Sequence, residues 1–245
     1  MTHHHADTAG TGYPVQLDLP GQTHVADGPH DQSGMYVMHH AFRRDLARFE
    51  SAVRNTPVGD ADTWRALATR WAAFTDVLHH HHTIEDEAIW PLVIERAEER
   101  GDAEDVETLE AMEAEHDTID PGLAACTEGF AAMIEHPCAD HRNALDVRVT
   151  DLRAGLLDHL RHEETGALPL IQQLLSEEEF AGTERAAGKG YPLRRIPFIL
   201  PWAMDGLPDD VVTRFLSTNA PQFKPFLRLL RPRYQRGEAK AFRYA

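Results

Sequence analysis

The sequence predicts an all-α protein, an up-down-up-down four-helix bundle followed by an irregular, partly helical C-terminal extension. From Met35 onward, apolar residues recur at alternating intervals of three and four in four successive segments. This period is typical of helices that bury one stripe, which we call the seam of each helix. The short loops between the segments favour antiparallel neighbours, and a hydrophobic content of 42% in 245 residues is enough for a buried core.

The chain divides into three predicted regions. Residues 1–33 are rich in Gly, Asp, Thr and His without any period, which indicates a flexible or loosely docked N-terminal arm. The tract His3 to His5 within it is either a native metal-binding tract or a remnant of cloning. Residues 34–182 form the predicted bundle, and residues 183–245 form the extension.

The extension differs from the bundle in composition. Residues 185–245 hold 12 of the 24 basic side chains but four of the 40 acidic ones. They are also rich in proline and aromatic residues, too apolar for a free linker and too proline-broken for long helices. We therefore expect the extension to pack on the acidic bundle. The alternative is that residues 190–245 bind a protein partner or an anionic membrane surface.

Charge and hydropathy exclude several classes of function. A net charge of -16 repels phosphate backbones, so we expect no nucleic-acid partner. No apolar run approaches the roughly 20 residues of a transmembrane segment, and the N-terminus lacks a hydrophobic signal core. Cys126 and Cys138 are too few for a disulfide framework, and together these features predict a cytoplasmic protein.

Every seam also contains a histidine, and two seams add a glutamate, although buried polar groups are costly unless they are satisfied. The six residues are His39 in the first helix, His81 and Glu85 in the second, His116 in the third, and His159 and Glu163 in the fourth.

The spacing of these six residues suits metal coordination. His81 and Glu85, like His159 and Glu163, are four residues apart and share one helix face. A proline follows each glutamate after six residues, so the two halves of the bundle repeat one pattern. Closing two such hairpins brings four imidazoles and two carboxylates together. This set fits two metal ions, either iron or manganese, or zinc less specifically.

The order, register and spacing of these residues resemble the hemerythrin-like, or HHE cation-binding, domains of bacterial proteins over roughly residues 35–180. The resemblance implies two iron ions with an oxo or hydroxo bridge. It further implies a small ligand, namely dioxygen, hydrogen peroxide or nitric oxide, and a role in oxidative stress.

One position departs from the family's oxygen carriers, which have a second histidine four residues after that of the third helix. Asp120 occupies this position, and it either ligates or starts a kink before Pro121. Without that histidine, each iron keeps an open position, which favours turnover or sensing of an oxidant over reversible carriage. His82 and His162, each one residue from a seam position, are further candidates for a seventh ligand.

Tyr36 is the one candidate for a catalytic role. It lies three residues before His39, near the same face, where it either contacts metal-bound oxygen, supplies an electron, or forms the edge of the core.

Other functions remain open at this stage. A di-iron oxidase or oxygenase acting on an organic substrate requires a cavity larger than a diatomic molecule, roofed by residues 190–245. A sensor or scaffold would signal its metal state through the extension. A ferritin-like protein is less favoured because Glu-x-x-His occurs only from Glu113 to His116, and a structural zinc site usually includes thiolate.

Overall fold

The computed structural model describes residues 8–9, 12–190 and 193–245. The protein is all-α, apart from a two-residue antiparallel pair formed by β1 (Thr8–Ala9) and β2 (Tyr13–Pro14). The helices are α1 (Ser33–Asn55), α2 (Ala61–Ile84), α3 (Trp90–Arg100), α4 (Ala103–Glu135), α5 (Ala139–His162), α6 (Leu168–Leu174), α7 (Glu177–Gly190), α8 (Ile196–Ala203), α9 (Asp209–Thr218) and α10 (Lys224–Ala241).

Helices α1, α2, α4 and α5 form the predicted bundle. Contacts join α1 to α2, α2 to α4, α4 to α5, and α5 back to α1, so each helix has two neighbours. Aromatic side chains of the first two seams fill one part of the core, where Phe49 meets Trp71 and Phe74 at centroid distances of 5.1 and 5.7 Å. The all-α bundle is confirmed, whereas the alternating direction of its helices stays a prediction.

Two π-helical segments interrupt the bundle helices at the seam glutamates. The segment Glu85–Ile89 joins α2 to α3, and Glu163–Ala167 joins α5 to α6. In the first, the Trp90 backbone N–H bonds to the carbonyl of Glu85, five residues earlier. In each half, a proline is the second residue after the π segment, Pro91 in the first half and Pro169 in the second. Proline lacks an N–H and clashes with the carbonyl four residues before it in a regular α-helix. A π turn beside each proline accommodates this defect within a continuous helix.

Helices continue through a proline in both the bundle and the extension. Helix α4 runs through Pro121, and α10 extends over 18 residues with Pro232 inside it. The expectation that the extension is too proline-broken for long helices is therefore wrong for α10, whereas the kink before Pro121 stays a prediction. Both prolines are exposed, so water can bond to the carbonyls that they leave unpaired.

The described part of the N-terminal arm lies against the bundle. Leu17 and Leu19 are buried, and the Gln16 side-chain amide donates to the carbonyl of His30 at 2.7 Å. The Thr23 backbone N–H donates to Glu164 at 2.7 Å, which ties the arm to the second π segment. The predictions for residues 1–7, including the histidine tract, concern positions outside the described residues.

The extension inserts an aromatic side chain into the bundle. Trp202 of α8 is fully buried, its indole N–H donates to Asp45 at 2.7 Å, and its ring lies 5.4 Å from that of Phe42. Helix α10 packs on both α2 and α8. Within the described part of the chain, no helix combines the length and the apolarity needed to cross a bilayer.

Candidate metal centre

The bundle brings all six seam residues together at one buried site. His39 lies on α1, His81 on α2, His116 on α4 and His159 on α5, while Glu85 and Glu163 are the first residues of the two π segments. All six side chains are buried. The 3.6-residue period that buries each seam therefore also aims its polar members at the bundle axis.

Each glutamate lies between a histidine of its own hairpin and one of the other hairpin. The Glu85 carboxylate is 3.0 Å from His81 Nε2 and 3.6 Å from His116 Nε2. In the other half, the Glu163 carboxylate is 3.1 Å from His39 Nε2 and 3.9 Å from His159 Nε2. The two carboxylates thus cross-link the two halves with the predicted pseudo-twofold symmetry.

Two groups of potential ligands have donor atoms within 4.8 Å of one another among the described residues. One group comprises His39, His81 and Glu85. The other comprises His82, His116 and His159. Sequence spacing alone makes His82 a minor candidate, because it lies one residue off the seam.

His82 is held inside the centre by stacking. Its ring lies parallel to that of His116, with centroids 3.9 Å apart and an interplanar angle of 8°. Both of its nitrogens are buried without a hydrogen-bond partner. Burial, together with the neighbouring His116, lowers the pKa of His82, so the imidazole is neutral and free to bind a cation.

Three carboxylates outside the seam contact the Nδ1 atoms of the histidines. Glu164 lies 3.0 Å from His39 Nδ1, Asp86 lies 2.8 Å from His116 Nδ1, and Glu115 lies 2.8 Å from His159 Nδ1. A carboxylate that accepts from Nδ1–H leaves Nε2 without its proton and turned toward the centre, which is the arrangement of metal-binding histidines.

The spacing of the seam residues does not point to these three acids, although two of them carry a signal in the sequence. Asp86 and Glu164 directly follow the two seam glutamates, and each contacts a histidine of the opposite hairpin. Glu115 directly precedes His116 but contacts a histidine of α5, a pairing across helices that spacing does not show.

The other candidate residues lie outside both groups. His162 Nδ1 is 2.7 Å from Glu115, so His162 shares that acid with His159. Asp120 is exposed on α4. The buried Tyr36 hydroxyl accepts from the Ala26 backbone N–H at 2.8 Å and so contacts the arm.

The buried carboxylates and imidazoles of the site shift one another's pKa values. Burial and the charge of Glu163 raise the pKa of Glu85 well above its ordinary value. Burial lowers the pKa of His39, but Glu163 and Glu164 outweigh it and raise this pKa to about 9. Burial and the neighbouring His39 lower the pKa of His81 to about 3. Without a metal, His39 balances the charge of Glu163, and burial favours the protonated form of Glu85, so a bound cation would displace these protons.

The donor atoms of the site fit a metal. The Nε2 atoms of His39 and His81 lie 3.1 and 3.0 Å from a carboxylate oxygen, but neither contact has the geometry of a hydrogen bond. These two atoms and all four oxygens of Glu85 and Glu163 are therefore buried without a hydrogen-bond partner. Each such atom costs about 1–3 kcal/mol when it is left unsatisfied. Nitrogen and oxygen lone pairs that converge without protein donors are satisfied by cations, and this set suits first-row transition metals.

Comparison with known families agrees with this geometry. The hemerythrin HHE cation binding domain model matches residues 31–171, more than half of the chain. The protein therefore belongs to the hemerythrin HHE cation-binding family and is a metal-binding helical-bundle protein. No curated protein and no solved structure matches the chain significantly.

Proposed function

We propose that this protein holds a non-haem di-iron centre that turns over or senses a small oxidant, namely dioxygen, hydrogen peroxide or nitric oxide. The observation that carries the proposal is the buried set of unpaired imidazole and carboxylate donors. When bound, the metal pair supplies the redox chemistry, and the protein supplies ligands and a dry site. Manganese and zinc are the alternatives that the same donors allow.

The arrangement of donors supports a specific ligand set. One metal would be held by His39 and His81, the other by His116 and His159, with Glu85 and Glu163 shared between them. His82 is the best candidate for the seventh ligand, since its donor atom lies with those of His116 and His159.

With His82 as a ligand, the two metals differ. The metal at His116 and His159 has three histidines, so the open position expected at both metals is left mainly at His39 and His81. His81 and Glu85 line a cavity far larger than a diatomic molecule, so a second molecule or water can approach the metal that His39 and His81 would hold. This access favours turnover.

Metal analysis and oxidant consumption test the proposal. The purified full chain should contain about two iron ions and show the near-ultraviolet absorption of a bridged di-iron centre. It should consume peroxide or nitric oxide catalytically, whereas the double variant Glu85→Gln/Glu163→Gln should not. Reversible oxygenation over many cycles without loss of dioxygen, or a single tetrahedral zinc ion, would refute it.

We also propose a cytoplasmic location without a nucleic-acid partner. Cys126 and Cys138 are both free thiols, as is usual in a reducing compartment. The net charge of -16 disfavours phosphate backbones.

A further inference from the structure

A large cavity lies between the metal centre and the extension. Its volume is about 600 Å³. This space is much larger than dioxygen or peroxide require. His81 and Glu85 form part of one wall, and α8 and α9 form part of the opposite wall.

The chemistry of the lining restricts the occupant. Most lining side chains are apolar, among them Met35, Met38, Ile199, Phe215 and Phe223. Among the side chains that the structure describes, no lysine or arginine lines the cavity, and Glu85 and Glu184 are acidic. Without a metal at the centre, an anionic ligand would lose its hydration without gaining a cationic partner among these side chains, at a cost of several kcal/mol. Asn219 and Gln222 offer neutral hydrogen-bonding groups.

The two halves of the centre differ in the residue that precedes the histidine of α4 and the histidine of α1, and the cavity lies at the α1 side. The residue before His116 is Glu115, which contacts His159 through its carboxylate. The corresponding residue before His39 is Met38, an apolar side chain that lines the cavity. The two halves of the centre therefore differ at this position, where an acid contacts a histidine in one half and an apolar side chain lines the cavity in the other.

We propose that this cavity binds an uncharged, predominantly apolar organic molecule in contact with His81 and Glu85. The inference rests on the proposed function for its role, because the molecule would then lie beside the metal that keeps an open position. The binding itself requires no redox chemistry. This makes the two proposals separable by experiment.

Binding is measured on the full chain without metal, so that no cation at the centre pairs with the carboxylate of a competing anion. The probe is N-phenyl-1-naphthylamine, a neutral apolar fluorophore, displaced by 1-decanol or by decanoate of the same chain length. We expect saturable fluorescence with one site, and displacement by decanol at least about tenfold tighter than by decanoate. Equal displacement by both compounds, or no saturable binding, would overturn the proposal.

Cavity-filling variants localise the site. Ile199→Trp on α8 should weaken decanol binding at least about tenfold because the indole occupies the cavity. Leu229→Trp on α10, whose parent side chain is 75% exposed, is the matched control and should leave binding unchanged. If Ile199→Trp does not fold, Ala187→Phe on α7, at another lining position, fills the cavity instead. Unchanged binding in a folded filling variant would refute the location.

The iron-loaded protein provides a second readout. Saturating decanol should shift the near-ultraviolet and visible spectrum of the centre, because the alcohol would lie against two of its ligands. Binding without any spectral change would overturn the contact with His81 and Glu85. If decanol binds but no oxidant is consumed, the proposed function fails and this inference stands. If oxidant is consumed but decanol does not bind, the reverse holds.

Discussion

The histidines of the centre are fixed by acids that spacing in the sequence barely reveals. His159 and His162 both contact Glu115, at 2.8 and 2.7 Å, so this carboxylate aligns one seam imidazole and restrains its neighbour. Burial raises the pKa of Glu115, but the two imidazoles outweigh it and lower the pKa. The carboxylate thus stays ionised and able to accept from Nδ1–H.

Replacing Glu115 should weaken metal binding without removing a ligand. For Glu115→Gln we expect an affinity about 10- to 100-fold lower, because the His159 ring loses its charged acceptor. Competition titration with a chelator measures this change. Glu113→Gln, on an exposed position of the same helix, is the control. Equal affinities in the two variants would show that Glu115 does not position His159.

His82 provides the second prediction at this scale. In His82→Ala we expect preferential loss of iron from the metal at His116 and His159, toward about one iron per chain under limiting metal. Elemental analysis and the near-ultraviolet absorption measure this loss. His79→Ala, an exposed member of the same histidine run, should keep full occupancy. Full occupancy in both variants would exclude His82 as a ligand.

Among the elements, α1, α2 and α8 are joined through one buried carboxylate. Asp45 of α1 accepts from Arg70 of α2 and, at 2.7 Å, from the Trp202 indole of α8. Arg44 donates to its other oxygen at 2.9 Å. Phe42 then connects this contact to the centre, with its ring 5.4 Å from Trp202 and 5.1 Å from His81. Signalling of the metal state through the extension stays a prediction, with this contact as its route.

Removing the charge of Asp45 should loosen these three elements together. Asp45→Asn leaves the buried Arg70 with Glu238 as its remaining charged partner, so we expect a loss of unfolding free energy near the lower end of the about 3–5 kcal/mol that breaking a buried ion pair costs. Urea unfolding at neutral pH measures the loss, and Asp62→Asn, at an exposed ion pair of α2, is the control. A loss no larger than that of the control would contradict this account.

The carboxylate of Asp45 should also make the stability of the protein depend on pH. Burial raises the pKa of Asp45, but Arg70 and Arg44 outweigh it and lower the pKa below its ordinary value. Its contribution to stability is therefore complete above the unfolded pKa of about 3.9 and is lost as pH falls through the folded pKa. The acid limb of the stability profile should be shallower in Asp45→Asn than in the parent protein.

For the whole molecule, net charge does not describe how the extension packs. The extension is basic overall, yet two of its five acids pair with arginines of the bundle. Asp205 lies 2.7 Å from Arg48, and Glu238 lies 2.5 Å from Arg70. Other basic side chains of the extension are exposed on α10, and so are the apolar side chains of Phe226 and Leu229. A protein partner or anionic surface for this helix stays a prediction.

Metal binding should stabilise the entire chain, because the bundle buries donors that only a cation satisfies. At a free metal concentration near 100 times the dissociation constant, linkage adds about 2.7 kcal/mol. For a chain of this size, we expect the melting temperature to rise by about 5 to 10 °C. Differential scanning calorimetry of the metal-free and iron-loaded forms measures the shift. A similar rise in Glu85→Gln/Glu163→Gln would attribute it to another site.

The sequence by itself determined which residues face the axis of the bundle. A period of 3.6 residues places His39, His81 and His116 in seams that must be buried, and the structure places all three there. The same period cannot rank residues one step off a seam, since each step turns about 100° and the rotation of each helix depends on its packing.

Only the tertiary structure decided the rest of the site. It turned His82 toward the centre, left Asp120 at the surface, and paired Glu115 with a histidine of another helix. It also closed α8 and α9 over a cavity beside His81. These contacts join segments far apart in the chain, and their geometry follows from packing rather than from local spacing.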